Sequence, residues 1–296
     1  LDIYPTQFAL QTGISWVYHE PALLQEALAL LTVVPDGKYI DATLGGAGHT
    51  TQILHLGGQV LAIDQDHQAI EYCQSLEALQ PALALRQLVL VHGNFSHLAE
   101  IASKNSWKPV SGILIDLGMS SHQLNTPLRG FSFQSDGPLD MRMDTSSTLT
   151  ASDLVNELPV DQLASIFKKF GEVSAAWPLA RKILGRRPIH STAELAKITK
   201  DWSRQAFQAL RIAVNDELGA LEMALYQSLD SLSTGGHLVI ISFHSLEDRL
   251  VKQQFQSWET SGLGKFITPT PIQPSLSEIS ANSRVKSAKL RSFKKN

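Results

Sequence analysis

Between Tyr39 and Asp116 the chain alternates short apolar runs with segments whose apolar residues recur every three or four positions. The runs Tyr39 to Ala42, Val60 to Asp64, Leu88 to His92 and Ile113 to Asp116 are continuously hydrophobic, which predicts strands of a parallel sheet covered on both faces. Helices are predicted to start near His49 and near His67. An earlier helix, opened by His19-Glu20-Pro21 and running from Ala22 to Leu31, carries Leu23, Leu24, Ala27, Leu28 and Leu31 on one face. This alternation is that of a doubly wound α/β fold with its ligand at the C-terminal ends of the strands.

After Asp116 the alternation stops, and the next apolar strand is His237 to Ser242. Between them lie a loop rich in Gly, Ser and Asp (117–150), helical segments over roughly 151–210, and a long helix predicted from about Ile212 to Leu232. The pattern predicts a discontinuous sheet domain, 1–125 and 211–296, interrupted by 126–210, a substrate loop followed by an all-helical insert.

Composition narrows the class. With 43% apolar and 18% charged residues in 296, the chain is an ordinary globular protein with ample core. It has no apolar run of spanning length and no basic segment leading into an apolar one, so no membrane partner is expected and the predicted location is the cytoplasm. A single cysteine, Cys73, excludes an intrachain disulfide and a multi-cysteine zinc site. The net charge of −3 is uneven: residues 1–116 carry −7, residues 145–212 carry +4, and Asn282 to Asn296 holds six basic residues and no acidic one. Two basic regions on an acidic chain predict a polyanionic partner, with a merely solvated surface as the other reading.

The stretch Lys38 to Thr51, KYIDATLGGAGHTT, runs from the first strand through Gly45, Gly46 and Gly48 into a helix. Such a turn lets backbone approach a carboxylate or phosphate, or simply joins strand to helix. Asp64 ends the second strand, 16 residues after Gly48, where a nucleotide-binding sheet places a carboxylate for ribose hydroxyls. Phe95 follows the third strand as a candidate adenine contact, and Asp116 ends the fourth. Functional residue types at four consecutive strand ends point to a nucleoside-containing ligand. The G-x-G-x-x-G spacing of dinucleotide sites is absent, which favours S-adenosylmethionine over a nicotinamide cofactor.

The loop Arg129-Gly130-Phe131-Ser132-Phe133 leads into Asp136, Asp140, Arg142 and Asp144. Rings to stack a base and acids to accept its protons read as a substrate loop, with Asp140 and Asp136 as candidate catalytic acceptors and Phe131, Phe133 and Arg142 as substrate contacts. A turn-rich lid is the alternative. The acids do not have calcium-loop spacing, and no metal is assigned. Past the fifth strand, Ser245 and Asp248 fit a helix N-cap box, leaving His244 as a proton acceptor, a phosphate contact or a packed strand-end residue. Methylating carbon 5 of a pyrimidine needs a cysteine nucleophile. Cys73 is placed on the helix after strand two, away from the substrate loop, so attack by nitrogen or oxygen is preferred.

In these stretches the chain resembles the bacterial 16S ribosomal RNA cytosine-N4 methyltransferase family. The resemblance rests on H-E-P-A-L-L (His19 to Leu24), D-A-T-L-G-G-A-G-H (Asp41 to His49), D-L-G-M-S-S-H-Q-L (Asp116 to Leu124), R-G-F-S-F-Q-S-D-G-P-L-D-M-R-M-D (Arg129 to Asp144), F-Q-A-L-R-I-A-V-N-D-E-L (Phe207 to Leu218), I-S-F-H-S-L-E-D-R (Ile241 to Arg249) and S-A-K-L-R (Ser287 to Arg291). It implies a class I, Rossmann-like S-adenosylmethionine-dependent methyltransferase sheet with an inserted all-helical domain. The implied activity is methylation of the N4 amine of a cytidine in the decoding region of 16S rRNA, in the small ribosomal subunit.

The family's cofactor contacts carry over onto Ala47, Gly48, His49, Asp64, Phe95, Asp116 and Gln123, beside the turn residues Gly45 and Gly46. The substrate set is Phe131, Phe133, Arg142 and His244, with Arg284, Lys286, Lys289 and Arg291 in the basic tail expected to hold RNA phosphates. Five positions depart from the family pattern. Ala47 stands where glycine is usual and fits if its φ stays negative or its methyl points away from the cofactor. His122 replaces a proline, Arg204-Gln205 a Thr-Arg pair, and Lys286 an arginine. A homodimer is left open as a further partner. Two other functions also stay open: a nicotinamide-dependent oxidoreductase on the same fold, and an RNA-binding factor without catalysis, while a methyltransferase of the same fold could act on another RNA site.

Overall fold

The structure is a computed structural model that describes residues 21–296. His19 and Glu20, which open the first predicted helix, lie outside the described residues. The chain divides into two compact units, residues 1–120 with 220–296 and residues 121–219.

The first unit is built on a seven-stranded sheet. Its strands are β1 (Lys38–Asp41), β2 (Gln59–Asp64), β3 (Leu88–His92), β4 (Val110–Asp116), β5 (Leu232–Ser242), β6 (Gly264–Phe266) and β7 (Lys289–Lys295), in the order β3-β2-β1-β4-β5-β7-β6. Strands β1 to β5 are parallel, and β7 runs antiparallel between β5 and β6. Alternate residues feed two cores. Ile40, Leu61, Ile63, Ile113, Ile115, Leu238 and Ile240 point to one, Tyr39, Val60, Ala62, Leu114, Val239 and Ile241 to the other. Helices α1 (Leu24–Leu31), α2 (Gly48–His55) and α3 (His67–Ser75) cover the second face. The first is covered by α5 (Leu98–Lys104), α12 (Glu217–Ser231) and α13 (Ser245–Thr260). A short α4 (Gln80–Ala84) precedes β3. Burial on both faces explains why these strands read as unbroken apolar runs. Buried Trp107 ties the connection before β4 to the sheet, its Nε1 donating to the Tyr39 carbonyl at 3.0 Å. The strand order reverses between β1 and β4, which places the ligand crevice outside their C-terminal ends.

The second unit holds α6 (Ser121–Asn125), the loop through Asp144, and helices α7 (Ala151–Glu157), α8 (Val160–Gly171), α9 (Ala176–Leu184), α10 (Thr192–Thr199) and α11 (Ser203–Asn215). The expected long helix from Ile212 to Leu232 is two helices. Asp216, at φ 46°, ends α11 in a left-handed turn, and α12 starts at Glu217. Arg211 braces the break with a bidentate pair to Glu217 at 2.7 and 2.9 Å. The basic tail is also corrected: it contributes β7, an interior strand of the sheet.

Candidate active site

Three carboxylates close the strands around the crevice, and two of them, Asp41 and Asp64, are tied by hydrogen bonds. Asp41 at the end of β1 is buried and accepts from the Thr50 hydroxyl at 2.7 Å and the Thr43 amide at 3.2 Å. Burial raises its pKa, and these donors oppose the rise. Asp64 at the end of β2 accepts from the Gly45 amide at 2.8 Å and the Asp66 amide at 2.8 Å, one on each oxygen. Burial, with Asp66 and Asp41 nearby, pushes it up to about 6 despite those two donors. Asp116 at the end of β4 has its own amide held by the Thr43 hydroxyl at 2.7 Å. Its Oδ1 is buried with no hydrogen-bond partner, and Oδ2 lies 3.8 Å from Nδ1 of His49. Burial, then Asp41 and Glu247, raise its pKa well above the carboxylate range.

The glycine turn connects these groups. Leu44 donates to the Ile63 carbonyl and Ala47 to the Leu44 carbonyl, so the turn is pinned to β2 before α2 begins at Gly48. Gly45 has φ 51° and Ala47 φ 62°. The first condition under which Ala47 fits, a negative φ, is therefore not met: this buried alanine sits in the left-handed region that favours glycine. His49, on α2, has Nε2 3.2 Å from the Ala22 carbonyl. A carbonyl only accepts, so Nε2 carries the hydrogen and Nδ1 is the atom turned to Asp116. After β3, His92 Nε2 bonds the Gln65 carbonyl at 3.0 Å and Asn94 donates to the Gln65 side chain at 2.7 Å, fixing the turn that presents Phe95. Phe95 is half-buried and packs against the core.

His244 is the N-cap of α13, a role expected of Ser245. Its Nδ1 accepts from the Glu247 amide at 3.4 Å, and the Glu247 carboxylate accepts from the Phe243 and His244 amides at 2.8 and 3.2 Å. Asp248, the expected partner in that box, instead holds Arg291 and Lys289.

In the second unit the loop from Arg129 to Asp144 is folded onto itself. A Cβ on Gly130 would meet the Pro138 carbonyl oxygen at 2.2 Å, and one on Gly137 the Pro127 carbonyl oxygen at 2.0 Å, so both crossings require glycine. Arg129 is buried and donates to the Arg142 and Met143 carbonyls at 3.0 and 2.9 Å. Asn215 bonds Met143 N at 2.7 Å and the Met141 carbonyl at 2.8 Å, holding Met141 at φ 60°. Asp140 accepts from Arg142 Nε at 2.9 Å and Nη2 at 2.7 Å. Burial works to raise the Asp140 pKa, but the Arg142 hydrogen bonds outweigh it and leave the carboxyl below its ordinary range. Arg142 spends its remaining arm on the Thr145 and Ser147 carbonyls, so it braces the loop where a substrate contact was expected. Asp136 is tied to α10 by the Ser191 side chain and by the Ala193 amide at 3.1 Å, and these donors lower its pKa. Phe131 is buried under the Arg129 guanidinium, whereas Phe133 is 40% exposed with its edge on Phe207. Gln123 is buried on α6.

Two tail residues leave the expected phosphate-binding set. Arg291 is buried, bonded to Asp248 at 2.6 Å and to the Pro269 carbonyl at 2.8 Å, and Lys289 reaches Asp248 at 3.1 Å. Arg284 and Lys286 remain exposed. The roles of Thr43, Thr50 and Asn215 were missed in the sequence. Threonines flanking the glycine turn, T-L-G-G-A-G-H-T, were the available signal for the first two.

These features fit a nucleoside carrying a positive charge: a turn without side chains, the Asp64 carboxylate beside it, and an unpartnered, buried Asp116 oxygen. Comparisons with known proteins identify the family. A model of the MraW methylase family matches residues 16–296. A ribosomal RNA small subunit methyltransferase H of Thermomicrobium roseum is 42% identical, covering 96% of this chain and 95% of its own. The protein of that name in Leuconostoc mesenteroides is also 42% identical, covering 94% and 98%. The solved structure of an rRNA methylase from Streptococcus thermophilus covers 93% of this chain and 97% of its own at 13% identity and TM-score 0.44. A family match of this length sets aside the nicotinamide and non-catalytic alternatives. The chain belongs to the MraW methylase family and is an S-adenosylmethionine-dependent methyltransferase.

Proposed function

We propose that the chain methylates the exocyclic N4 amine of a cytidine in the decoding region of 16S rRNA, with the small ribosomal subunit of the cytoplasm as its partner. The carrying observation is the 42% identity, along nearly the whole chain, to small-subunit methyltransferases.

The cofactor supplies an electrophilic methyl on a sulfonium. The chain supplies the rest. Asp64 is proposed to take ribose hydroxyls, the Gly45–Gly48 turn the amino-acid end, and Asp116 to face positive charge with its unpartnered oxygen. Attack on carbon 5 is disfavoured because the Cys73 thiol is buried, bonded to the Gly45 carbonyl at 3.5 Å, and pushed up by burial and by Asp64 and Asp41. The cytosine amine is a weak nucleophile, its lone pair delocalised into the ring. What it needs is alignment and an acceptor for its hydrogens. A carboxylate held by Arg142 stays ionised through the neutral range, so Asp140 suits an acceptor; the proton lost after transfer is acidic and needs no strong base. Asp136, committed to α10, is the weaker candidate.

The test is incubation with labelled cofactor of small subunits from a strain lacking its own enzyme. Label in N4-methylcytidine is expected, and label at carbon 5, or none, overturns the reading. Asp140→Ala should cut the rate at least a hundredfold, and an unchanged rate removes Asp140 from the mechanism. Sedimentation of the same mixtures separates a homodimer from a single chain bound to the subunit.

A further inference from the structure

Helix α9 buries Ala176, Leu179, Ala180 and Ile183 and turns Trp177, Pro178, Arg181, Lys182 and Leu184 to solvent. Trp177 is 50% exposed, which is unusual for the largest aromatic side chain. The Arg181 guanidinium, one turn on, lies over the indole at 5.8 Å from the ring centroid. One ring face is thus paired with a cation while the exposed half of the ring has no protein cover. A second cation–ring pair, exposed Lys169 over half-buried Phe170 at 5.0 Å, lies in the last turn of the preceding helix α8.

Between Glu172 and Glu194 the segment that carries α9 is basic. From Val173 to Ala193 the chain has no acidic residue but carries Arg181, Lys182, Arg186 and Arg187. Arg187 and Lys182 are structural: Arg187 donates to the Val155 and Leu158 carbonyls at 2.6 and 2.7 Å, and the Lys182 ammonium donates to the Ile198 carbonyl. Arg181 and Arg186 remain as exposed guanidinium groups on the same face or just beyond it. An apolar partner would gain little from so many cations, and a simple solvated face does not need a half-exposed tryptophan. A polyanion with accessible π-faces satisfies both features: phosphates meet the guanidinium groups and an unstacked base meets the ring.

We propose that the solvent face of α9 is a stacking platform for single-stranded RNA, with one base on Trp177 beside Arg181 and the flanking phosphates on Arg181 and Arg186. This deepens the rRNA reading above and borrows from it only the identity of the RNA, because binding can be measured without methyl transfer. A duplex keeps its bases stacked and should not use the platform.

The experiment is fluorescence-anisotropy titration of the full chain with a 12-nucleotide single-stranded RNA of mixed sequence and with a duplex of the same length. Trp177→Ala should weaken single-strand binding by about tenfold, in line with base–aromatic stacking, and duplex binding by less than twofold. Trp177→Phe should recover most of the affinity, and Arg181→Gln should cost severalfold. Cofactor affinity and the melting temperature should stay at wild-type values in all three. The proposal fails if Trp177→Ala binds the single strand within twofold of wild type, if Trp177→Phe is as weak as Trp177→Ala, or if both RNA forms are affected equally. A protein that binds RNA through this platform yet transfers no methyl group would sink the proposed reaction and leave the platform standing.

Discussion

At the scale of single residues, Ala47 and Asp64 carry the sharpest consequences. A left-handed alanine costs about 1–2 kcal/mol, roughly the amount its buried methyl and its reduced chain entropy return, so Ala47→Gly should be neutral within about 0.5 kcal/mol. The same change at Ala224, buried inside helix α12, loses a methyl and about 1 kcal/mol of helix propensity and should cost about 2 kcal/mol. Urea melts of the two variants check this, and equal losses would refute the account of Ala47. Asp64 gives a pH dependence. Its ligand-free carboxyl titrates at about 6, so it is ionised at pH 7.5 and mostly protonated at pH 5. A protonated acid loses its charge and part of its accepting capacity for ribose hydroxyls. Cofactor affinity should therefore fall as pH drops below 6 through protonation of Asp64, approaching tenfold per pH unit. Calorimetric titration from pH 5 to 8 tests it, and a flat profile would remove Asp64 from cofactor binding. The positions of these carboxylates were legible in the sequence, because a strand end is a local feature. The left-handed φ of Ala47 and the raised pKa of Asp64 were not, since both depend on how turn and neighbouring strand pack.

At the scale of elements, strands β1 to β5 could be read and β7 could not, and the difference is physical. Each of the five carries consecutive apolar residues for both faces, whereas β7 buries Leu290 on one face and Phe293 on the other amid four cations. What makes that strand soluble in the sheet is Asp248, 43 residues away, which accepts from Arg291. No local pattern reveals such a pairing. The helix break at Asp216 was hidden for a similar reason, because the apolar spacing continues across it while Arg211 and Glu217 fix the turn. The tail accordingly behaves as core. Arg291→Glu places a second carboxylate against buried Asp248 and should destabilise the fold by about 3–5 kcal/mol, whereas Lys294→Glu, exposed on the same strand, should leave it unchanged. Thermal melts decide this. Equal stability of the two variants would mean that β7 does not pack as described.

At the scale of the whole molecule, charge limits how RNA can be held. The sheet unit carries a net −4 and the helical unit +1, so neither offers the broad positive field of proteins that bind nucleic acid by bulk attraction. Affinity has to come from local clusters. In the tail, Arg291 and Lys289 are committed to Asp248, and Lys295 donates to the Leu232 carbonyl at 2.7 Å. Near α9, Arg181 and Arg186 are exposed, whereas the Lys182 ammonium donates to the Ile198 carbonyl. Two phosphate contacts there predict a shallow salt dependence, a log–log slope of about −1.4 for single-stranded RNA at roughly 0.7 per phosphate. Replacing Arg181 and Arg186 together by Gln should lower the slope by about 1.4, while replacing Lys286 and Lys294 by Gln should leave it in place. Titrations between 50 and 300 mM salt, on the order of the range where counterion release is measured, read both. A slope that keeps its value in the Arg181 and Arg186 variant and falls by about 1.4 in the Lys286 and Lys294 variant would return the RNA site to the tail, against the burial of its neighbours in the sheet.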